Sequence, residues 1–233
     1  MSVSEAEGIV LAVDGARRFT AYVALPATGR GVGLLILHDM FGPGPPFCDL
    51  ADDYARKGVC ALLPNLFWRS QHTGLLSYDA THQDAWARLE AFDLDDAVAD
   101  MRSAVAWLRA SPSCTGQVVA LGFCFSGLLA FLAAARAGVD AAVAFYSLGI
   151  SRHLDAAPRI ACPLQLHYGL ADEHVPRAEI DAVAAGLAGK DNVELHLYSG
   201  AGHSFFNPVR PMYDAAASAL AVHRIDALLA RIA

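Results

Sequence analysis

Apolar positions change their spacing along the chain, and each change marks an element. Gly8–Val13 and Phe19–Leu25 read as two strands, separated by Asp14-Gly15, a strong hairpin signal. Leu34-Leu35-Ile36-Leu37 is an unbroken apolar run, as expected of a parallel strand buried on both faces. It ends at His38-Asp39 and enters the glycine- and proline-rich Gly42–Pro46, which must be loop. Phe47 to Lys57 reads as a helix and Val59–Leu63 as the next strand, stopped by Pro64. From about Ser77 to Ala110 the period is helical, with Trp86, Leu89, Phe92, Ala97, Met101, Val105 and Leu108 three or four apart. This stretch is one helix or two broken near Phe92-Asp93, with Asp93, Asp95, Asp96 and Asp100 on its polar side.

The second half repeats the alternation. Val118-Val119-Ala120-Leu121 reads as a buried strand and Leu128–Leu132 as a buried helix. Strands follow at Ala141–Tyr146, Leu164–Tyr168 and Val193–Tyr198, with helices over Arg177–Leu187 and Pro211–Ile232. Strands alternating with helices imply an α/β fold, its sheet mostly parallel with right-handed crossovers and flanked by helices. In such a sheet, ligand-handling loops lie at the carboxyl ends of the strands.

Composition narrows the class. Hydrophobic residues make up 55% of the 233, enough for a large core, which excludes disorder. The net charge of −7, with no cluster of Lys or Arg, argues against nucleic acid and against an anionic membrane surface. Val118 to Ala135 is uncharged and just long enough to span a bilayer, but Gly122, Ser126 and Gly127 interrupt it. A strand, a turn and a helix account for it better. The five cysteines are odd in number and contain no C-x-x-C pair. No secretory apolar segment opens the chain, so reduced thiols in a cytoplasm are expected.

The chemistry is sought at strand ends. Gly122-Phe123-Cys124-Phe125-Ser126-Gly127 has the form of a nucleophile elbow between a strand and a helix. Alone, G-x-C-x-S more often marks a core cysteine. Here the following helix would aim its N-terminus at the Cys124 sulfur, which favours the reactive thiolate. An elbow hydrolase keeps the order nucleophile, acid, histidine. Asp172 follows the strand Leu164–Tyr168 within a turn and is preferred to its neighbour Glu173; His203 follows Val193–Tyr198 between glycines. His167 and His196 alternate within strands and read as structural, and the remaining histidines, His72 among them, fit no second triad. His38-Asp39 with His203 would make a poor metal set, so neither metal nor cofactor is expected.

These residues resemble the dienelactone hydrolase (carboxymethylenebutenolidase-like) family of α/β-hydrolases. The matching stretches are Leu37–Gly42, Pro64–Phe67, Ala91-Phe92-Asp93, Gly122–Gly127, Gly169–Pro176 and Gly202–Phe205, in the family's order and across almost the whole chain. The resemblance implies a single α/β-hydrolase domain over 1–233. It implies Cys124 as nucleophile, His203 as base and then acid, and Asp172 as its orienter. It further implies Asp39 as an acid that helps generate thiolate, one methylene shorter than the glutamate of other members. The oxyanion hole would be the backbone N–H groups of Met40 and Phe125. Phe41, Tyr146 and Ser204 match pocket positions.

The family's lactone-cleaving members hold a substrate carboxylate with two arginines. Those positions read His82 and Asn207 here, a neighbouring tyrosine position reads Trp86, and Arg210 lies three residues beyond Asn207. His82, Trp86 and Asn207 are pocket candidates or ordinary packing residues. The expected function is hydrolysis of a lactone, enol ester or activated ester, with a small-molecule substrate as the partner and a monomer or weak homodimer as the state. The alternatives are a non-catalytic binding protein of the same fold and a redox-sensing thiol protein.

Overall fold

The computed structural model describes residues 8–27, 29–70, 73–78 and 82–233. The chain divides into two compact units, one ending at Val118 and the other starting at Val119. Strand β5 (Cys114–Phe123) runs through both.

In the first unit, β1 (Ile9–Asp14) and β2 (Arg17–Ala24) form the antiparallel hairpin, with Asp14 opposite Arg17 across the Asp14-Gly15 turn. β2 runs antiparallel to β4 (Cys60–Pro64), which pairs in parallel with β3 (Gly31–Leu37). Every residue of β3 and β4 is buried, which is why neither alternates polar with apolar. Helix α1 (Pro45–Arg56) opens on proline, whose missing N–H costs nothing at a first turn.

The long helical stretch is two helices, α2 (Gln83–Glu90) and α3 (Leu94–Ala110). The break falls at Phe92-Asp93 because Asp93 caps α3, accepting the N–H groups of Asp95 and Asp96. The start at Ser77 does not hold: Ser77 and Tyr78 are loop, and 79–81 lie outside the described residues, as does His72. Asp100 also departs from expectation, since it is buried rather than on the polar face. The Trp68-Arg69 loop after β4 folds over it. Trp68 Nε1 donates to one carboxylate oxygen at 2.6 Å and Arg69 Nη2 to the other at 2.7 Å.

In the second unit, β6 (Ala141–Phe145), β7 (Leu164–Gly169) and β8 (Val193–Tyr198) extend the sheet from β5, all in parallel. The strand order is β1-β2-β4-β3-β5-β6-β7-β8. This mostly parallel sheet, with helices on its faces, is the α/β-hydrolase architecture. The uncharged run becomes the end of β5 and helix α4 (Phe125–Arg136). Among the described residues no helix is long and apolar enough to cross a membrane.

Ile150–Arg159 forms short 3₁₀ turns that no apolar period announces. α5 covers Arg177–Gly186. The last helix, α6 (Ala215–Ile232), starts four residues later than Pro211, because Asp214 caps it through the N–H groups of Ala216 and Ala217 at 3.0 Å.

Candidate active site

Cys124 sits between β5 and α4 with φ 60° and ψ −123°, a conformation that side-chain-bearing residues rarely hold. The local sequence is built to allow it. A Cβ at Gly122 would collide with the carbonyl oxygen of Ser126, and one at Gly127 would sit 2.6 Å from the Ser147 Cβ. Cys124 N–H donates to Phe145 O at 3.1 Å, and Gly127 N–H donates to Cys124 O at 3.0 Å. The Ser126 hydroxyl accepts from Phe123 N–H and donates to Phe123 O, both at 2.9 Å. Ser126 is therefore a built-in clasp of the turn, a role its small size alone did not signal.

His203 Nε2 lies 3.3 Å from Cys124 Sγ, and His203 Nδ1 lies 2.8 Å from Asp172 Oδ2. Three side chains from three strand ends are thus joined in one line. The loops that carry two of them are themselves locked. Leu170 N–H donates to Tyr198 O at 2.9 Å and Ala171 N–H to Ala201 O at 3.0 Å. A Cβ at Gly169 would collide with Ala201 O, so only glycine lets the two loops come this close.

Electrostatics follow the geometry. Asp172 Oδ1 accepts the N–H groups of His174 at 2.8 Å and Val175 at 3.0 Å. Burial alone would raise the Asp172 pKa, but the bond and charge of His203 and these two N–H groups bring it below the usual carboxylate range. Burial alone would lower the His203 pKa. Its bonds to Asp172 and Cys124, with their charges, overcome that and raise it to about 9. A protonated imidazole donates at both nitrogens, so it can hold a carboxylate and a thiolate at once.

Two rings flank the imidazole. Tyr146 packs at 5.0 Å between centroids and His174 at 4.8 Å, the latter edge-on at 79°. Tyr146 is buried with φ 36°, held by its N–H to His167 O at 2.7 Å. From the sequence His174 reads only as a loop residue close to Asp172, with no role of its own. Ser204 is buried with φ 62°, and Asn207 is buried with its side chain accepting Val209 N–H at 3.2 Å. Asn207 O also accepts Arg210 N–H at 3.0 Å. Phe125 opens α4 directly after Cys124.

The first unit holds the other candidates. Asp39 is buried, with Oδ1 accepting Phe41 N–H at 2.9 Å and Oδ2 accepting the Tyr78 hydroxyl at 3.2 Å. Met40 is buried beside it. Phe41 packs against Tyr78 at 4.6 Å and against His82 at 5.2 Å. Tyr78 was missed because it sits in a loop without apolar period. Trp86 is 53% exposed. Among the described residues, no three His, Cys, Asp or Glu side chains could hold a metal ion.

A family model described as the dienelactone hydrolase family matches residues 19–233. The chain is 30% identical over 230 residues to a carboxymethylenebutenolidase of Pseudomonas sp. strain P51, covering 97% of this chain and 95% of that one. It is 31% identical over 220 residues to that of Pseudomonas putida, covering 94% and 93%. Among solved structures, a dienelactone hydrolase-like promiscuous phosphotriesterase from metagenomic libraries aligns with a TM-score of 0.80 at 22% identity, covering 94% and 95%. The apo form of Thermogutta terrifontis esterase 2 aligns at 0.70 and 20% identity, covering 98% and 96%; these two likenesses speak to the fold. By family model and by relatives alike, the chain belongs to the dienelactone hydrolase family of α/β-hydrolases.

Proposed function

We propose that this protein is a cysteine-dependent hydrolase of a lactone, an enol ester or an activated ester, working as one domain with no cofactor. The observation that carries the reading is the line Cys124 Sγ, His203, Asp172, with spacings of 3.3 and 2.8 Å. Such spacings are what a nucleophile, a base and an orienting acid need. The relatives' name, carboxymethylenebutenolidase, supports the lactone class.

The Cys124 thiolate attacks the acyl carbonyl, and the C=O electrons move onto oxygen. Backbone N–H groups receive that oxyanion, that of Phe125 among them, each worth about 3 kcal/mol by the cost of removing such a donor. The intermediate collapses, the C–O bond breaks, and His203 Nε2 gives its proton to the departing oxygen. His203 then takes a proton from water as that water attacks the thioester; the C–S bond breaks, the acid leaves and Cys124 returns to thiolate beside the imidazolium. Asp172 holds Nδ1–H throughout and stabilises the imidazolium.

Thiolate leaves more readily than alkoxide, so the first intermediate reverts unless the substrate's own leaving oxygen is good. Enolates and phenolates meet that condition, and amides do not. With His82 and Asn207 in place of arginines, the substrate is less anionic than a carboxylated lactone or is held by other contacts. The five free thiols suit a reducing cytoplasm.

The test is turnover of an ester and enol-lactone panel by the wild type, Cys124→Ala and His203→Ala, with mass spectrometry of quenched reactions. The expected result is an acyl adduct on Cys124 and loss of turnover in both variants. Turnover that survives Cys124→Ala, or a wild type inert on the whole panel, overturns the reading.

A further inference from the structure

The first unit contains a cavity of about 480 Å³ between the loop after β4 and helices α2 and α3. Its apolar wall includes Phe67 and Phe92, which meet edge-to-face at 5.7 Å and 76°. Its charged wall holds three arginines (Arg17, Arg69 and Arg88) and three aspartates (Asp93, Asp96 and Asp100).

The aspartates are already committed. Asp93 caps α3 through two N–H groups. Asp100 is held by Trp68 and Arg69, and Asp96 lies 3.6 Å from the same Arg69 guanidinium. The other two arginines are not matched. Arg88 is only 2% exposed; among the described residues Nη2 donates to the Gly74 carbonyl at 2.9 Å, while Nε and Nη1 have no hydrogen-bond partner. Its guanidinium lies 4.6 Å over the Phe67 ring, a contact that partly offsets burial of the charge but supplies no acceptor. Arg17 is exposed, and among the described residues neither Arg17 nor Arg88 has a carboxylate at ion-pair distance. His38 offers no compensation: burial, with the Arg88 charge adding to it, pushes its pKa down to about 3. Among the described residues, only the Asp84 carboxylate, beyond ion-pair distance, offsets the buried Arg88 cation by charge; burial pulls the Arg88 pKa down, and three idle N–H donors add to the cost.

We propose that this cavity binds a small planar carboxylate. The carboxylate supplies the counter-ion that Arg88 and Arg17 lack, and the planar apolar body lies along Phe67 and Phe92. A guanidinium fork matches a carboxylate, and the volume falls in the range of small-molecule sites. The cavity wall contains none of Cys124, Asp172 and His203, so the inference stands apart from the proposed hydrolysis.

The test is calorimetric titration of the full chain with benzoate, with benzamide as the uncharged analogue and inorganic phosphate as the anion without an apolar body. One benzoate should bind per chain. Benzamide and phosphate should bind at least 10-fold more weakly. Arg88→Gln should weaken benzoate at least 10-fold, and Arg17→Ala, at an exposed position that folding tolerates, at least 3-fold. No saturable benzoate binding, equal binding of phosphate or benzamide, or benzoate affinity unchanged in Arg17→Ala overturns the proposal, even if Arg88→Gln does not fold.

Discussion

The Ser126 hydroxyl clasps Phe123 twice, taking its N–H and returning a hydrogen to its carbonyl, each at 2.9 Å. Both residues are buried, and Cys124 lies between them. The clasp opposes the strain of a cysteine held at φ 60°. Ser126→Ala removes both bonds without adding bulk. The expected loss is about 1–3 kcal/mol of stability, read as a lower denaturant midpoint at unchanged slope. Turnover should also fall, because the sulfur is no longer held to one place. An unaltered midpoint would show that the clasp contributes nothing.

Asp172→Asn keeps the shape of the acid loop and removes the charge behind His203. The His203 pKa, raised to about 9 in the wild type, should then fall, because burial is no longer opposed by the carboxylate. Nitrogen-detected NMR titration of the imidazole reads this directly. Turnover should drop by about 10³–10⁴-fold, as when a triad aspartate is neutralised elsewhere. A His203 titration that stays put in the variant would refute the assigned coupling.

The raised His203 pKa also fixes a pH window. Its folded-state value exceeds the ordinary 6.5, so the stability it contributes is fully present below pH 6.5 and is lost as pH rises through about 9. Asp172 acts in the opposite sense: its lowered pKa contributes stability above the usual carboxylate range, lost as pH falls through its own lowered value. kcat/KM should decline on the alkaline side near pH 9, where the imidazolium gives up its proton. A profile still climbing at pH 10 contradicts that assignment. Denaturation midpoints measured from pH 6 to 10 supply the matching stability curve.

His174 packs its ring edge-on to His203 at 4.8 Å while its own N–H holds Asp172. The ring contact is worth about 0.5–1.5 kcal/mol. His174→Ala should lower kcat by about 2- to 10-fold, the same energy expressed as rate, with KM little changed. His174→Phe, which keeps a ring edge in place, should recover most of the loss. Equal effects of both substitutions would mean that the ring contact plays no positioning part.

Much of this molecule can be read from its residues. β3 and β5 stand out because burial on both faces leaves an unbroken apolar run. Asp172 and His203 stand out because each follows a strand in a fixed order, and chain order survives folding. What escapes is whatever depends on one contact across the sequence. Asp100 looks like a polar-face residue by helical period, but the Trp68-Arg69 loop closes over it. Tyr78 lies in a loop with no period, and only its hydroxyl at Asp39 gives it meaning. Ser126 looks merely small, since its two bonds to Phe123 belong to the turn and not to any pattern. The starts of α2 and α6 move for the same kind of reason, a local cap or loop overriding a periodic signal.

Gly169 and Ala201 bear on any attempt to re-engineer this protein. Their backbones touch so closely that the acid loop and the histidine loop behave as one rigid cassette. A loop graft that imports new residues around Asp172 while keeping the native segment around His203 mismatches that seam. The misfit then passes straight into the 2.8 Å hydrogen bond between His203 and Asp172. Libraries aimed at new substrates should therefore vary the two loops together or leave both alone.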